Sequence, residues 1–227
     1  MLLVVHVVSP VSVVMSTLRL LKAAGVGAGD EVIVSAYGDV EAAEAVRAVG
    51  AVVVLADIDP DSYCLDAGSV EAAVTSRTAG VVLTHRFGHP PDAAGMRELG
   101  RRRGLLMVEQ VVAGQGREQA VYLGERLRGM RTPSLVEGHT CESYVVRVPG
   151  NGRPDRDAVA RVLKARGVAC WVPVPVPLHR VPAYRRDVRL PQAELASDET
   201  LALPLHGDVR RTAAVCNALG GLLQPAF

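Results

Sequence analysis

Two rhythms of apolar and polar residues run along this chain. In the first half, short apolar runs alternate with stretches whose apolar residues recur every three or four positions. The runs at 2–8, 31–35, 51–56, 81–84 and 105–108 are short, rich in Val, Leu and Ile, and bounded by turn residues, so each predicts a buried strand. Residues 12–24, 40–49, 69–75 and 93–103 carry helical spacing, with Leu18 and Leu21 on the apolar face of the first. Ser69, with Glu71 close behind, reads as the cap that opens the third helix. Strands alternating with helices predict a mostly parallel sheet with crossover helices.

The second half changes character. Helical spacing covers 119–130, 155–166 and 208–222, and apolar runs at 142–148 and 168–172 predict strands. Pro173-Val174-Pro175-Val176-Pro177 follows as an extended segment. Proline donates no backbone hydrogen bond, so this segment cannot be a central strand. The expected organisation is an α/β domain over 1–116 and a small α+β domain over 117–227, joined near Gly114-Gln115-Gly116. No internal repeat is visible.

Composition narrows the function classes. A chain of 227 residues with 49% hydrophobic and 22% charged residues can bury a full core and is globular. Its formal net charge of +1 gives no electrostatic case for nucleic acid or an anionic membrane. Cys64, Cys141, Cys170 and Cys216 include no CxxC pair, which argues against a zinc knuckle and fits a reducing cytoplasm. The apolar start is too short to span a bilayer and lacks a basic flank.

Several clusters invite a sharper reading. Gly25-Val26-Gly27-Ala28-Gly29 looks like a phosphate loop but follows a helix, so it reads as a helix end and turn. Asp57, Asp59 and Asp61 mimic the start of a calcium loop whose later glycine and glutamate are missing, which leaves a turn built on Asx hydrogen bonds. His85 and His89 flank Gly88 and precede Pro90, so they lack the helical spacing of a metal pair. They do follow the C-terminal end of a parallel strand, where open α/β sheets place ligands; a role at a pocket mouth and plain loop packing both remain open.

Longer stretches resemble the DegT/DnrJ/EryC1/StrS sugar aminotransferases. The similarity runs through Gly25 to Val34, Asp57 to Asp66, Thr84-His85-Arg86-Phe87-Gly88-His89-Pro90 and Gly104 to Glu109. It resumes at Tyr144 to Val148, Arg166-Gly167-Val168, Pro175 to Arg180, Pro182-Ala183-Tyr184 and Leu203-Pro204-Leu205-His206. The resemblance implies a type I aminotransferase-like fold, a homodimer and, for typical members, pyridoxal phosphate (PLP) held as a Schiff base on a lysine. It also implies that a segment carrying this lysine and two strands is absent near Gly116-Arg117. The phosphate cradle falls on Ser12-Val13-Val14, the ring-stacking aromatic on Asp39, the partner of the ring nitrogen on Gln110, and a glutamine one turn later on Ala113. The lysines of this chain are Lys22 and Lys164, both in solvent-facing helical patterns.

These substitutions lead to an expectation of a PLP-independent enzyme with no cofactor and no metal. It would belong to antibiotic- or sugar-type specialised metabolism and act on a small molecule in the vacated pocket. Asp39, His85 and Gln110 are its candidate acid/base groups, since a carboxyl in a partly apolar cavity has a raised pKa. Tyr37, His89, Glu109, Glu142, Trp171 and His179 are candidate substrate contacts. Isomerisation, dehydration or cyclisation fits such a set. The alternative is a non-catalytic relative that binds a ligand or a partner aminotransferase; the catalytic version expects Asp39, His85 and Gln110 to converge on a solvent-connected cavity. The expected scaffold is a reduced, all-parallel sheet of about five strands, with strand 2–8 paired to strand 81–85.

Overall fold

The computed structural model describes residues 2–6, 10–111, 114, 116–127, 130–148, 155–205, 209–210, 212–214 and 216–217. Ala113, Gln115, His206 and most of the predicted closing helix lie outside them, as do the side chains of Ser12 and Val13; 209–210, 212–214 and 216–217 are helical.

Five strands form one all-parallel sheet: β1 (Leu2–His6), β2 (Glu31–Ser35), β3 (Val52–Ala56), β4 (Thr78–Thr84) and β5 (Leu106–Val111), in the order β1-β5-β4-β2-β3. The linking helices are α1 (Pro10–Ala23), α2 (Val40–Ala48), α3 (Ala67–Ala73) and α4 (Ala93–Arg103). The expected count and parallel sense hold. The expected partner of the first strand does not: β1 pairs with β5, with Val5 opposite Gln110. Strand β4 already has β2 on one side and β5 on the other, so β1 cannot pair with it and lies instead on the outer edge of β5.

Strand alternation divides the core. Val32, Val34, Val82 and Val108 face one side with Leu21 of α1 and Ala42, Ala43 and Val46 of α2. Ile33, Val81, Leu83 and Met107 face the other with Val70 of α3 and Met96 and Leu99 of α4. Helix α3 starts before Ser69: the Asp66 carboxylate accepts from Ser69 N–H at 2.7 Å, so Asp66 is the N-cap. Helix α4 ends on Gly104, whose φ of +67° closes the turn in the left-handed region that glycine tolerates.

The second half contains α5 (Arg117–Arg126), β6 (Tyr144–Arg147), α6 (Arg156–Ala165), α7 (Pro191–Glu199) and β7 (Thr200–Leu203). Strands β6 and β7 form an antiparallel pair. Tyr144, Val146, Leu201 and Leu203 pack with α5 and α6, whereas Val145 and Ala202 face the core beneath α1 and α2. The predicted strand at 168–172 is reduced to a bridge between Trp171 and Ala202, because the proline ladder follows at once. Helix α7 and strand β7 were not predicted. Pro191 at the first turn of α7 was the available signal. Among the described residues no helix is long and apolar enough to cross a membrane.

Candidate functional site

The C-terminal ends of β2, β4 and β5 bring together a buried polar chain. After β2 the backbone turns through Tyr37 and Gly38, and Asp39 becomes the N-cap of α2. Its carboxylate does not cap that helix. It lies 3.6 Å from the Arg86 guanidinium and interacts with the Thr84 hydroxyl. Burial pushes the Asp39 carboxyl up to about 6, against the opposing pull of Arg86 and Thr84.

Thr84 ends β4 opposite Gln110 of β5. The Thr84 hydroxyl donates to Gln110 Oε1 at 3.0 Å, and Gln110 Nε2 donates to Thr17 Oγ1 at 2.5 Å. Thr84 has one hydroxyl proton, for which the Gln110 oxygen and the Asp39 carboxylate compete. Thr17 sits one helical turn before Leu21 on the inward face of α1, so its hydroxyl meets the sheet. Asp39 and Gln110 are 4% and 2% exposed. This is a sealed cluster.

His85 does not join it. Successive strand residues point to opposite faces, so Glu109 projects away from Gln110. His85 Nε2 pairs with Glu109 Oε1 at 2.7 Å, and His85 Nδ1 is buried without a hydrogen-bond partner. The expected convergence of Asp39, His85 and Gln110 on a solvent-connected cavity is therefore corrected. Alternation separates Asp39 and Gln110 from His85, and all three are buried.

Tyr37 anchors the cluster to the second half. Its hydroxyl shares a 2.7 Å hydrogen bond with Thr200 Oγ1, and burial raises its pKa to about 12. Its ring stacks on Tyr63 with centroids 5.8 Å apart and meets Phe87 edge-on at 6.1 Å. The Arg86 guanidinium lies over Phe87 at 4.9 Å and over Tyr37 at 5.7 Å. Tyr63 and Phe87 hold φ of +60° and +55°, an uncommon region for non-glycine residues that recurs at functional sites. Arg86, Thr84 and Thr17 were missing from the sequence-derived site. A polar residue on an otherwise apolar helix face was the signal for Thr17.

The other candidates lie apart. His89 packs its ring 4.9 Å from His139, and its Nδ1 contacts Pro90 O at 2.8 Å. Burial, with His89 alongside, lowers the His139 pKa. Glu142 is exposed, and its backbone N–H donates to Phe87 O at 3.2 Å. Trp171 is 43% exposed. His179 is buried and pairs with Glu194 of α7 at 2.9 Å. The Asp59 carboxylate accepts from the backbone N–H of Asp61 and of Ser62, the Asx turn read from the sequence.

These residues do not fit a lysine-linked PLP. Lys22 is exposed in the last turn of α1, beyond Thr17 and toward the opposite end of the sheet. Lys164 is exposed in the last turn of α6. Gln110 is a neutral amide bonded to two hydroxyls, so it offers no carboxylate to a ring nitrogen.

Residues 2–132 and 117–220 match the DegT/DnrJ/EryC1/StrS aminotransferase family. An L-glutamine:scyllo-inosose aminotransferase of Streptomyces griseus is 41% identical over 108 residues, 47% of this chain and 26% of that protein. The erythromycin biosynthesis sensory transduction protein EryC1 of Saccharopolyspora erythraea is 43% identical over 111 residues, 49% of this chain and 28% of that protein. The matched stretch thus spans under a third of either relative. The crystal structure of the aminotransferase TlmJ from Streptoalloteichus hindustanus superposes with a TM-score of 0.80 at 24% identity, over 91% of this chain and 83% of that one. These matches overturn the expectation of a PLP-independent lyase, isomerase or cyclase. The Streptomyces griseus protein and TlmJ are both named as aminotransferases. Lost contacts bear on how a cofactor is held; they do not by themselves specify another reaction.

Proposed function

This chain belongs to the DegT/DnrJ/EryC1/StrS aminotransferase family, and from that premise we propose that it serves amino-group transfer to a small ketone of the cyclitol or sugar class. The observation that carries this reading is the 41% identity over 108 residues to the glutamine:scyllo-inosose enzyme. Specialised metabolism is the proposed setting, in keeping with the EryC1 relative.

Lys22 and Lys164 do not suit the cofactor-bearing role, so the proposal places that amine outside these 227 residues. The chain's own part is to build the wall at the strand ends. Tyr37, Asp39 and Gln110 frame that wall, Arg86 sets the charge beside Asp39, and the His85–Glu109 pair stiffens it from the opposite face. Residues 1–116 and 117–227 are the proposed domains, and a homodimer is the proposed assembly.

The test measures transfer from L-glutamine to scyllo-inosose by the purified chain, alone and mixed with a lysine-bearing aminotransferase of the family. The expected result is no transfer by the chain alone and more transfer in the mixture than the added enzyme gives by itself. A mixture no faster than the added enzyme overturns the function. A borohydride-reducible PLP adduct on the chain alone, abolished by Lys22→Ala or Lys164→Ala, overturns the placement of the amine.

A further inference from the structure

An open cavity of about 670 Å³ lies beside the 3₁₀ turn Leu178–Arg180. His179, Arg180, Arg185, Arg186 and Asp187 line it. We propose that this cavity is a binding site for the phosphate group of a small phosphorylated metabolite.

Charge and geometry both support an anion. Glu194 accepts from His179 Nε2 at 2.9 Å and from Arg180 at 2.8 Å, so one carboxylate is shared between two cavity-lining side chains. Among the described residues neither Arg185 nor Arg186 has a carboxylate within ion-pair distance. Arg186 Nη1 donates to Arg185 O at 3.0 Å, which leaves the Arg185 fork to match two phosphate oxygens and the remaining Arg186 nitrogens to add to it.

His179 supplies the buried element. It is 2% exposed, and its Nδ1 has no hydrogen-bond partner. A buried polar nitrogen left unpaired costs about 1–3 kcal/mol, so such a group invites a ligand that satisfies it. Glu194 fixes which nitrogen is engaged and leaves Nδ1 as the free one. In the protonated ring Nδ1–H donates, and a phosphate oxygen is a matching acceptor. The cavity is larger than one phosphate and falls in the range of about 300–1,000 Å³ typical of small-molecule sites. A phosphomonoester fits this better than free phosphate.

The fold ties the site to the strand ends. Leu178 N–H donates to Ala36 O at 2.8 Å, just before Tyr37 and Asp39. Ligand bound beside His179 thus rests on the loop that carries the sealed cluster. The inference stands on different residues from the proposed amino transfer and does not depend on it.

The test is calorimetric titration of the full chain, at constant ionic strength, with inorganic phosphate, glucose 6-phosphate and glucose. Saturable binding of the ester, tighter than that of inorganic phosphate and with none for glucose, is expected. The double variant Arg185→Gln/Arg186→Gln should weaken it by about tenfold or more, with an unchanged Tm and circular dichroism spectrum. The His179 ring resonances should shift as ester is added. Equal affinity for inorganic phosphate overturns the metabolite. Absence of saturable binding, wild-type affinity in the double variant, or unmoved His179 resonances overturn the site.

Discussion

The Arg86 guanidinium stands 3.6 Å from the Asp39 carboxylate, and between them they set the charge at the end of the parallel sheet. Burial raises the Asp39 pKa, and Arg86 pulls it back to about 6. Replacing Arg86 by Gln removes the opposing charge, so the Asp39 carboxyl should titrate above 6. Carbon-detected NMR of the labelled carboxyl measures this; a midpoint that stays put or falls contradicts the assignment of Arg86 as its charge partner.

The same carboxyl makes stability depend on pH. Its folded pKa lies above the unfolded value of 3.8, so the folded state holds the proton more tightly. Its contribution is fully present below pH 3.8 and is lost as pH rises through about 6. The change is on the order of 3 kcal/mol. Asp39→Asn should flatten the stability profile between those limits. Urea melts at a series of pH values give the slope, which in the variant should differ from the wild-type slope in that window alone.

Gln110 bonds to Thr84 and Thr17 from the middle of a buried chain. Gln110→Leu removes a partner from both hydroxyls; Thr84 can turn its proton to Asp39, so the expected loss is about 1–3 kcal/mol, from Thr17. Chemical denaturation checks this. A variant as stable as wild type means that the amide contributes nothing to the cluster.

Asp57, at the end of β3, reaches across the chain to cap α7. Its two carboxylate oxygens accept from Gln192 N–H at 3.0 Å and Ala193 N–H at 2.8 Å. Asp57→Ala should cost about 1–2 kcal/mol, in the range for loss of a helix cap. Asp57→Asn should recover part of it, because an amide oxygen still accepts. Added calcium should leave the wild-type Tm unchanged, since the Asp57–Asp61 run is spent on the helix cap and the Asx turn.

Gly88 has φ +82°, and a Cβ there would lie 2.8 Å from Cys141 N and 2.9 Å from Glu142 N. Gly88→Ala should therefore destabilise by more than the roughly 1–2 kcal/mol cost of the left-handed conformation alone. Thermal unfolding measures it. A Tm within a degree of wild type would show that the loop over residues 139–142 moves aside freely.

The local elements were legible because they obey local rules. The run at 31–35 became β2, and the helical spacing at 93–103 became α4, since strand and helix periods follow from backbone geometry. Asp39 and Gln110 were legible as neighbours through the family resemblance. Thr84 and Arg86 were not, because their roles depend on which strands lie side by side. The missed helix α7 carries little amphipathic pattern, and a tertiary contact from Asp57 secures its start.

What the chain encodes locally is therefore its alternation of strands and helices, its parallel sheet and its family. Hydrophobic periodicity and turn chemistry act over a few residues and survive loss of context. Tertiary structure decided that β1 closes against β5, that alternation sends Gln110 toward Asp39 and Glu109 toward His85, and that Glu194 pairs with His179 beside an arginine-lined cavity. Those outcomes depend on strand order and on contacts between residues far apart in sequence, which no local window contains.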